Sequence, residues 1–339
     1  MSKIKHFLYL IITNILLLFT FCSKDSGLNT VKKTDFAMGT IIQITVLDSS
    51  EKSAQKAIDL ALQEIKRVGN LFYKGNPSSP IYKFNNRSKD TIKMPIEVLD
   101  LIWRGTQIAK KTMGSFDMTI EKILPYYSFN GDSLQPPQKL LIDSLKKYVN
   151  YKNLKIDLEQ GALIANSRES RIATGGNAKG YAVDRAIHIL DSLHVAGALV
   201  NAGGDLRVLP RKDNRKWTVG IQHPRNRNQT IGIIALKKGA VTTSGDYEQY
   251  YIYKNIRYHH IINPRTGFPA RNSQSTTVIA PTAELADGLA TALFILGYEK
   301  GLKILREFPN CHAFWVDSNG AYHSSPGFDK YLSKNYNSQ

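Results

Sequence analysis

The second half of the chain constrains the fold most, because its apolar residues occur in short runs rather than long ones. From about residue 150 these runs are separated by Gly, Asn and Pro, which is typical of strands joined by tight turns. We predict strands at Ala198–Val200, Trp217–Ile221, Ile231–Leu236, Glu248–Tyr253 and Thr276–Ala280. Two predicted helices interrupt them, at Lys179–Leu193 and Ala283–Leu296. Helix and strand alternate too irregularly for a doubly wound sheet, so the pattern favours an α+β fold with a largely antiparallel sheet.

The first half of the chain supplies helices that would pack on such a sheet. Residues 40–46 alternate between apolar and polar and predict a strand. Residues 96–112 predict a helix, as does a segment whose apolar stripe comprises Ala54, Ala57, Ile58, Ala61, Leu62, Ile65 and Val68. We expect a loop at 76–80, a turn-rich break at 130–137 and a short helix at 140–148. A chain of 339 residues can bury a full core as one large domain of two lobes.

Charge and cysteine content exclude several classes of protein. The 45 Lys+Arg against 28 Asp+Glu give a net charge of +17, which suits a polyanionic partner such as nucleic acid, an anionic membrane or a phosphorylated small molecule. The basic residues are scattered, without an arginine-rich helix, zinc-finger spacing or RRM-like aromatic box, so we do not expect nucleic acid as a partner. The two cysteines, Cys22 and Cys311, exclude a disulfide scaffold and a multi-cysteine metal site.

The N-terminal residues have the features of a secretory lipoprotein signal. Two lysines precede the nearly apolar stretch Phe7–Phe21, whose 15 residues are fewer than the roughly 20 that a transmembrane helix needs. Cys22 follows at once, so the segment resembles a bacterial lipoprotein signal in which the cysteine is acylated. We predict a signal peptide over 1–21 and a tether over 22–34, with an uncleaved short anchor as the alternative. Cys311 is then expected to be a small buried hydrophobe.

Two glycine-rich motifs could bring the backbone close to a ligand. Thr174–Gly180 precedes a helix whose free N–H groups and positive dipole end, together with Lys179, can bind an anion. The motif matches neither a P-loop nor a GxGxxG fingerprint, and a tight loop-to-helix turn is the alternative. Asn201–Asp205 follows an apolar strand, and contact with another strand explains it as well as contact with a ligand does.

Three further side chains are candidates for chemistry. Asp287 and Thr291 lie four residues apart on the last predicted helix, so both project from one face and could supply oxygen ligands to Mg²⁺. The alternative for Asp287 is a hydrogen-bonded core aspartate. His260 comes before a β-branched pair and could be a general base near neutral pH or a polar residue at a strand end.

Together and in this order, the motifs resemble those of the ApbE-like family of FAD:protein FMN transferases. The similarity extends from about residue 35 to residue 325. The matching segments are Ala37–Thr40, Gly114–Thr119, Gly175–Asp184, Asn201–Asp205, Thr243–Tyr247, His260–Gly267 and Ala286–Ala292. The resemblance implies a T-fold-like α+β domain over 35–328, followed by a tail at 329–339.

The resemblance also implies an activity and a location. Members of the family are Mg²⁺-dependent enzymes that cleave FAD, release AMP and join FMN through a phosphoester bond to a threonine of a partner protein. The partners are flavin-bearing subunits of membrane redox complexes. By this resemblance the chain is expected at the cell membrane, on the periplasmic side, anchored through a lipidated Cys22.

The family's functional positions can be placed on this sequence residue by residue. The Mg²⁺ ligands would be Asp287, Thr291 and a main-chain oxygen of Gly176. His260 would take the proton from the incoming threonine hydroxyl, with Asp246 as its helper. The FAD contacts would come from Met38, Ser115, Phe116, Asp117, Lys179 and Ile261.

Three positions depart from the family pattern. Ala173 stands where the family usually has an aspartate, and Asn263 replaces the aspartate of an Asp-Pro-x-Thr-Gly turn. Gly75, with Tyr73 close by, aligns where the family tends to place an aromatic that packs on the flavin. Loss of stacking or of acceptor positioning could direct the reaction to water. An FAD pyrophosphatase is therefore one alternative function, and a non-catalytic flavin-binding lipoprotein is the other.

Overall fold

The computed structural model describes residues 27–129 and 134–334. The predicted signal peptide, Cys22 and the first residues of the predicted tether lie outside the described residues. The helices are α1 (Glu51–Phe72), α2 (Pro80–Asn85), α3 (Ile96–Lys111), α4 (Lys139–Leu145), α5 (Ala178–Ser192) and α6 (Ala283–Leu305). The strands are β1 (Asn29–Ala37), β2 (Thr40–Asp48), β3 (Thr91–Lys93), β4 (Leu154–Asp157), β5 (Ala162–Ala165), β6 (Gly197–Ala202), β7 (Asp205–Leu209), β8 (Trp217–Gln222), β9 (Thr230–Leu236), β10 (Gly239–Gly245), β11 (Tyr250–Tyr253), β12 (Ile256–His259), β13 (Ser273–Ala280), β14 (His312–Asp317), β15 (Tyr322–Ser324) and β16 (Leu332–Lys334).

An eight-stranded sheet in the order β1-β2-β6-β7-β10-β13-β14-β15 forms the centre of the fold. Every neighbouring pair in it is antiparallel, which confirms the predicted α+β class with a largely antiparallel sheet. Smaller antiparallel sheets are formed by β16-β9-β8, β3-β5-β4 and β11-β12. Helices α1 and α5 pack on each other, α5 packs on α6, and α6 lies against β10 and β13.

Alternate residues of the central strands enter two different hydrophobic cores. On β14, Ala313 and Trp315 pack among the helices, whereas Phe314 and Val316 pack on the opposite face with residues of β8 and β9. This alternation follows from the two-residue period of a strand, because successive side chains point to opposite faces of the sheet. The sheet therefore lies between a helical layer and the small β16-β9-β8 sheet.

The predicted tether is wrong at residues 29–34, because these residues belong to β1 and pair along their length with β2. β1 is the edge strand of the sheet, and only alternate residues, among them Val31 and Ala37, are half-buried. An edge strand with one exposed face tolerates a polar sequence, which is why composition suggested a tether. The predicted tail is also partly structured, since 332–334 form β16 beside β9.

The last helix is longer than predicted. It continues past Leu296 to Leu305, with a local break at Gly297, whose φ of 73° is non-helical. The remaining predicted strands and helices are present with boundaries shifted by a few residues. Within 27–129 and 134–334, no helix has both the length and the hydropathy needed to cross a membrane. Cys311 is buried, as expected for a small hydrophobe.

Helices α5 and α6 approach each other closely at Gly180. A Cβ at this position would lie 2.3 Å from the main-chain oxygen of Ala283. One turn further along α5, the Asp184 carboxylate accepts hydrogen bonds from the main-chain N–H groups of Ala283 and Glu284, at 2.8 and 2.9 Å. Arg207 donates to the same carboxylate at 2.7 Å. These contacts join the start of α6 to α5.

We expect the Gly180→Ala substitution to lower the free energy of unfolding by about 1–3 kcal/mol, because the methyl group collides with main-chain atoms that cannot rotate away. Gly175→Ala is the matched control, since a Cβ there would meet no atom within 4 Å. Urea titration followed by circular dichroism measures both variants. Equal stability of the two variants would contradict the close helix contact.

Candidate active site

The glycine loop before α5 and the Asp287 turn of α6 are neighbours in the fold. A Cβ on Gly176 would lie 2.9 Å from the ring carbon Cε2 of Phe116, and a Cβ on Gly288 would lie 3.8 Å from the same atom. The Gly180 N–H donates to Oδ2 of Asp287 at 3.2 Å. Phe116, a predicted FAD contact, therefore packs between the two segments that the predicted metal site requires to be adjacent.

Asp287 lies in an electrostatically unfavourable position for an isolated carboxylate. The residue is 5% exposed. Burial, and after it the charge of Asp205, raises the pKa of Asp287 well above its usual range, although Lys179 opposes this shift. A divalent cation beside the carboxylate would offset both effects, because it would stabilise the ionised form.

The half-buried Lys179 forms an ion pair with Asp205, whose side chain is almost fully buried. The distance between Nζ of Lys179 and Oδ2 of Asp205 is 2.7 Å. Burial of the ammonium group disfavours its charge, but Asp205 and Asp287 outweigh this effect and raise the pKa of Lys179 above its ordinary value. Lys179 therefore stays a cation, and it is half-buried beside Asp287.

Sequence reasoning did not identify Asp205 as a site residue. Gly203 and Gly204 form the tight turn between β6 and β7, with φ of 57° and 99°. A Cβ on Gly203 would lie 2.1 Å from Oγ1 of Thr40, so contact with a neighbouring strand explains this glycine. Asp205 begins β7, a five-residue strand that also contains Arg207, so the local sequence does not mark its carboxylate as one that pairs with a distant cation.

A second buried acid near Asp287 was also missed. Glu284 lies one turn before Asp287 on α6 and receives a hydrogen bond from Nε of Arg104 at 2.8 Å. Burial raises the pKa of Glu284 to about 7 despite this guanidinium. Its charge also contributes to the raised pKa of Asp287.

Thr291 follows Asp287 by one helical turn and is half-buried. Its Oγ1 lies 3.5 Å from Oγ of Ser244, at the end of β10. The Thr291 hydroxyl of α6 thus lies next to the Ser244 hydroxyl of β10, one helical turn from Asp287. Within the described residues no group of three or more His, Cys, Asp and Glu side chains is arranged as a metal site. The predicted ligand set is of another kind, with one carboxylate, one hydroxyl and one main-chain oxygen.

The two adjacent histidines have different surroundings. Nε2 of His259 lies 2.8 Å from the main-chain oxygen of Ala270, and its ring packs edge-on against Phe294. His260 is half-buried, and its Nδ1 lies 3.4 Å from the main-chain oxygen of Gln249. Burial, together with the charge of nearby Lys179, lowers the pKa of His260 to about 4. His260 is therefore uncharged at pH 7, and the lone pair of its unprotonated ring nitrogen is available to accept a proton.

The pH dependence of transfer follows from this shift. Burial disfavours the imidazolium form, so His260 remains a base down to a lower pH than a free histidine. For the transfer reaction that the family resemblance implies, with saturating Mg²⁺ and His260 as the predicted base, kcat/KM for the acceptor should stay level from about pH 8 to about pH 5.5 and fall at lower pH. A rate profile measured in overlapping buffers tests this. A midpoint near the ordinary histidine value of 6.5 would contradict it.

Asp246, the predicted helper of His260, is paired with arginine. Arg225 donates to both carboxylate oxygens of Asp246, at 2.6 and 2.8 Å. Arg257 lies 4.0 Å from the same carboxylate. This bidentate contact joins the loop after β8 to the end of β10. The role of Asp246 as a helper of His260 stays a prediction.

The other predicted FAD contacts are placed around the same elements. Met38 occupies the turn between β1 and β2 with φ of 52°, and a Cβ on Gly69 of α1 would lie 2.9 Å from its Cγ. Ser115 and Ile261 are buried. Asp117 accepts hydrogen bonds from the main-chain N–H groups of Thr119 and Tyr151 and from the Thr119 hydroxyl. The Asp117 carboxylate therefore orders the loop that carries Phe116.

A cavity of about 570 Å³ is lined by Asp117 and by Met113 and Gly114 just before it. Its lining includes the basic side chains of Lys110, Lys147, Lys152 and Arg265. Gly176, Lys179 and Asp287 do not line it, so the cavity is separate from the cluster of charged groups around α6.

Two of the departures from the family pattern have structural explanations. Oδ1 of Asn263 accepts a hydrogen bond from the N–H of Arg265 at 3.0 Å, so the amide forms the turn that an aspartate would form. A Cβ on Gly75 would lie 2.6 Å from the ring of Tyr73, which is 61% exposed. The Tyr73 ring thus covers Gly75 at the end of α1 and supplies an exposed aromatic face there. Ala173 donates its N–H to the main-chain oxygen of Met118 at 2.7 Å.

Comparison with known proteins identifies the family to which the chain is similar. The sequence profile of the ApbE family matches residues 38–315. FAD:protein FMN transferase of Treponema pallidum is 30% identical over 246 residues, which cover 67% of each chain. The transferase of Vibrio cholerae is 27% identical over 332 residues, covering 94% of this chain and 97% of the relative.

Solved structures share the fold over nearly the whole described chain. The ApbE protein of Thermotoga maritima superposes with a TM-score of 0.83 and 34% identity, covering 90% of this chain and all of that one. The apo form of the flavinyl transferase ApbE of Pseudomonas stutzeri gives a TM-score of 0.79 and 27% identity, covering 91% and 98%.

Proposed function

Because the chain belongs to the ApbE family and is an FAD:protein FMN transferase, we propose that it uses Mg²⁺ to cleave FAD and join FMN to a threonine of a partner redox protein. The single observation that carries this proposal is the contact of the Asp287 turn with the glycine loop. Gly180 N–H binds Asp287, and Phe116 packs against both segments. FAD is the flavin donor, and the acceptor is a protein.

The residues around Asp287 fit a magnesium ion. A carboxylate, the Thr291 hydroxyl and a main-chain oxygen of Gly176 are all hard oxygen donors, which Mg²⁺ prefers. Burial and the charge of Asp205 raise the pKa of Asp287, so a divalent cation beside the carboxylate would stabilise its ionised form. When bound, Mg²⁺ would neutralise charge on the pyrophosphate and favour departure of AMP.

The chain's own groups would complete the transfer. Lys179 is held as a cation by Asp205, so it can attract the phosphates without losing its charge. The N-terminus of α5, which begins at Ala178, adds the positive end of its helix dipole at the same place. His260, neutral at pH 7, would accept the proton of the threonine hydroxyl as its oxygen attacks the FMN phosphorus.

We further propose that the protein is attached to the cell membrane through a lipidated Cys22 and faces the periplasm. The apolar stretch Phe7–Phe21 followed by Cys22 supports this. The strand β1 begins at Asn29, so few residues would separate the lipid from the folded domain. Radiolabelled palmitate incorporation that is lost in Cys22→Ala would support the anchor, and no incorporation by the parent protein would contradict it.

One incubation tests the proposed reaction. The protein, FAD and Mg²⁺ are mixed with flavin-free acceptor proteins of the Vibrio cholerae and Treponema pallidum relatives. A fluorescent acceptor band on a denaturing gel, with stoichiometric AMP, indicates transfer to protein. AMP without that band would show hydrolysis to free FMN, and bound FAD without AMP would show a binding protein. Either of these two results would overturn the proposal.

A further inference from the structure

The N-terminal segment enters the folded domain at one end of the central sheet. Asn29, the first residue of β1, pairs with Asp48 at the end of β2. Leu47 of β2 pairs in turn with Gly197, the first residue of β6. Leu28 packs against the core that lies between the central sheet and the small β16-β9-β8 sheet. Any chain attached before Leu28 is therefore connected to this end of the sheet.

The candidate site lies away from this end. The register across β1, β2, β6 and β7 places Asp35 level with Asp205, the partner of Lys179. Asn29 is six residues from Asp35 along β1. A strand rises about 3.4 Å per residue, so Asn29 lies about 20 Å along the strands from the level of the Lys179–Asp205 pair.

Two strand connections meet at the same end as Asn29. In the β7–β8 connection, Arg211 packs on Gly197, since a Cβ on that glycine would lie 3.1 Å from Cα of Arg211. The β9–β10 turn is adjacent, because Gly239 after it pairs with Val208 of β7. The first residue of β8 pairs with the last residue of β9, so Lys216 and Lys237, which flank that pair, lie side by side.

These two connections are strongly basic. Residues 210–216 and 237–238 contain six lysines and arginines and one acid. We call the surface that these residues form the basic end. Its cations are Arg211, Lys212, Arg215, Lys216, Lys237 and Lys238, and apart from Arg211 all are exposed.

Most of this positive charge is not neutralised within the protein. Asp213 is shared between Arg211 and Arg215, at 2.6 and 2.8 Å. Within residues 27–129 and 134–334, no carboxylate lies within 4.0 Å of Nζ of the four lysines of the basic end. At the nearby β2–α1 connection, Asp48 and Glu51 outnumber Lys52 by one charge, which leaves this end of the domain positive.

An exposed apolar side chain stands next to these cations. Nζ of Lys212 donates to the main-chain oxygen of His194 at 3.4 Å. Leu193, the residue before this histidine, is 44% exposed. Cations beside an exposed apolar side chain suit a surface with anionic headgroups and a hydrocarbon interior.

The predicted lipid anchor is limited to the neighbourhood of this end. Seven residue steps lead from Cys22 to Asn29. An extended chain spans at most about 3.6 Å per residue, so a lipid on Cys22 would stay within about 25 Å of Asn29. A membrane held at that distance can contact the basic end, and a lipid chain together with a basic surface binds a membrane more stably than either alone.

We propose that the basic end binds the anionic phospholipid headgroups of the membrane that holds the lipidated Cys22, with the candidate site turned away from the lipid. This inference rests on the proposed function, in particular on attachment through Cys22. The short connection keeps this end near the membrane, and the charge selects the face that lies on it. The level of the Lys179–Asp205 pair would then be about 20 Å further out, where an acceptor protein can approach. An acidic protein is the competing occupant.

Lysine acetylation of the lipidated full chain tests the contact. The protein is inserted into the outer leaflet of vesicles of phosphatidylcholine alone or with about one-third phosphatidylglycerol, an anionic lipid. After brief reaction with a water-soluble reagent, acetylation is measured by mass spectrometry. We expect Lys237 and Lys238 to react about fivefold more slowly on the anionic vesicles at low salt, and equally on both at about 1 M salt, where charge attraction is screened beyond about 3 Å.

A matched pair of charge-reversal variants locates the surface. The first is Lys216→Glu/Lys237→Glu/Lys238→Glu, which leaves Lys212 as the reporter. The control is Lys83→Glu/Lys89→Glu/Lys93→Glu, which makes the same change of charge at exposed lysines. These control lysines follow α1, which begins beside Asp48 and is 22 residues or about 33 Å long, so they lie at the other end of the domain.

On anionic vesicles Lys212 should lose its protection in the first variant and keep it in the control. Transfer activity in detergent should stay within about twofold of the parent value in both, because none of the substituted lysines belongs to the candidate site. Loss of protection in both variants would overturn the inference, because net charge rather than the basic end would then be responsible.

Three results with the parent protein would also overturn the inference. Equal reactivity of Lys237 and Lys238 on the two kinds of vesicle at low salt would do so, while palmitate incorporation and flavin transfer would leave the proposed function standing. Protection that requires added acceptor protein and not anionic lipid would identify a protein as the occupant. Absence of lipid on Cys22 would remove the anchor and this inference together.

Discussion

Replacement of Asp287 by alanine is expected to reduce Mg²⁺-dependent release of AMP from FAD roughly 1,000-fold. The substitution removes the only side-chain carboxylate of the predicted ligand set. Several kcal/mol of charge stabilisation by the metal would be lost, and each 1.36 kcal/mol corresponds to about a tenfold change in rate. The measurement is AMP production followed by chromatography at saturating FAD over a range of Mg²⁺ concentrations.

Thermal unfolding of Asp287→Asn separates a lost ligand from a damaged fold. Burial and Asp205 raise the pKa of Asp287 in the folded state, so the metal-free protein loses stability as the pH rises above the value at which an unfolded aspartate ionises. At pH 8 the asparagine variant should therefore unfold at the same or a higher temperature than the parent without metal. Mg²⁺ should raise the Tm of the parent but not of the variant. Parent-like turnover by either variant would refute the ligand assignment.

The second large effect is expected for His260→Ala, which should slow transfer about 100- to 10,000-fold, the usual contribution of a positioned general base. The affinity for FAD, measured by quenching of flavin fluorescence, should change by less than about threefold, because the proton transfer is made only in the reaction step. Added imidazole should restore part of the rate if the missing group is a base.

The neighbouring histidine provides the control. His259 bonds to the main-chain oxygen of Ala270 and packs on Phe294, so His259→Ala should lower the Tm and show no recovery with imidazole. A His260→Ala variant with the parent rate would dismiss His260 as the base. Equal imidazole rescue of both variants would show that the two histidines had been assigned to the wrong roles.

The fold class and most elements of the helical and central layers could be predicted from the sequence, because a half-buried helix and a two-faced strand leave regular apolar patterns. The apolar pattern did not predict the strands that bury few side chains. β1 has only one half-buried face, so its polar sequence resembled a tether, and β16 is a three-residue strand that ends the described chain. Short or edge strands bury too few apolar residues for a periodic signal.

Only some residues of the candidate site could be predicted from the sequence. Asp287, Thr291 and the glycine loop carry local signals, which are helical spacing and a loop-to-helix turn. Asp205 and Arg104 carry none, because their importance comes from partners distant in the sequence: Asp205 with Lys179, and Arg104 with Glu284. The interaction of buried charges depends on distance and solvent exclusion, which the order of residues does not state.

By itself, the sequence determined that this chain is an α+β enzyme of the ApbE family, since motifs in a fixed order and periodic apolar residues are properties of the chain. The tertiary structure alone decided which of two adjacent histidines lies near Lys179 and which is packed against Phe294. It also decided that Gly180, rather than Gly175, sits where two helices leave no room for a side chain. The reason is physical: exposure, charge environment and steric room are set by segments that meet only after folding.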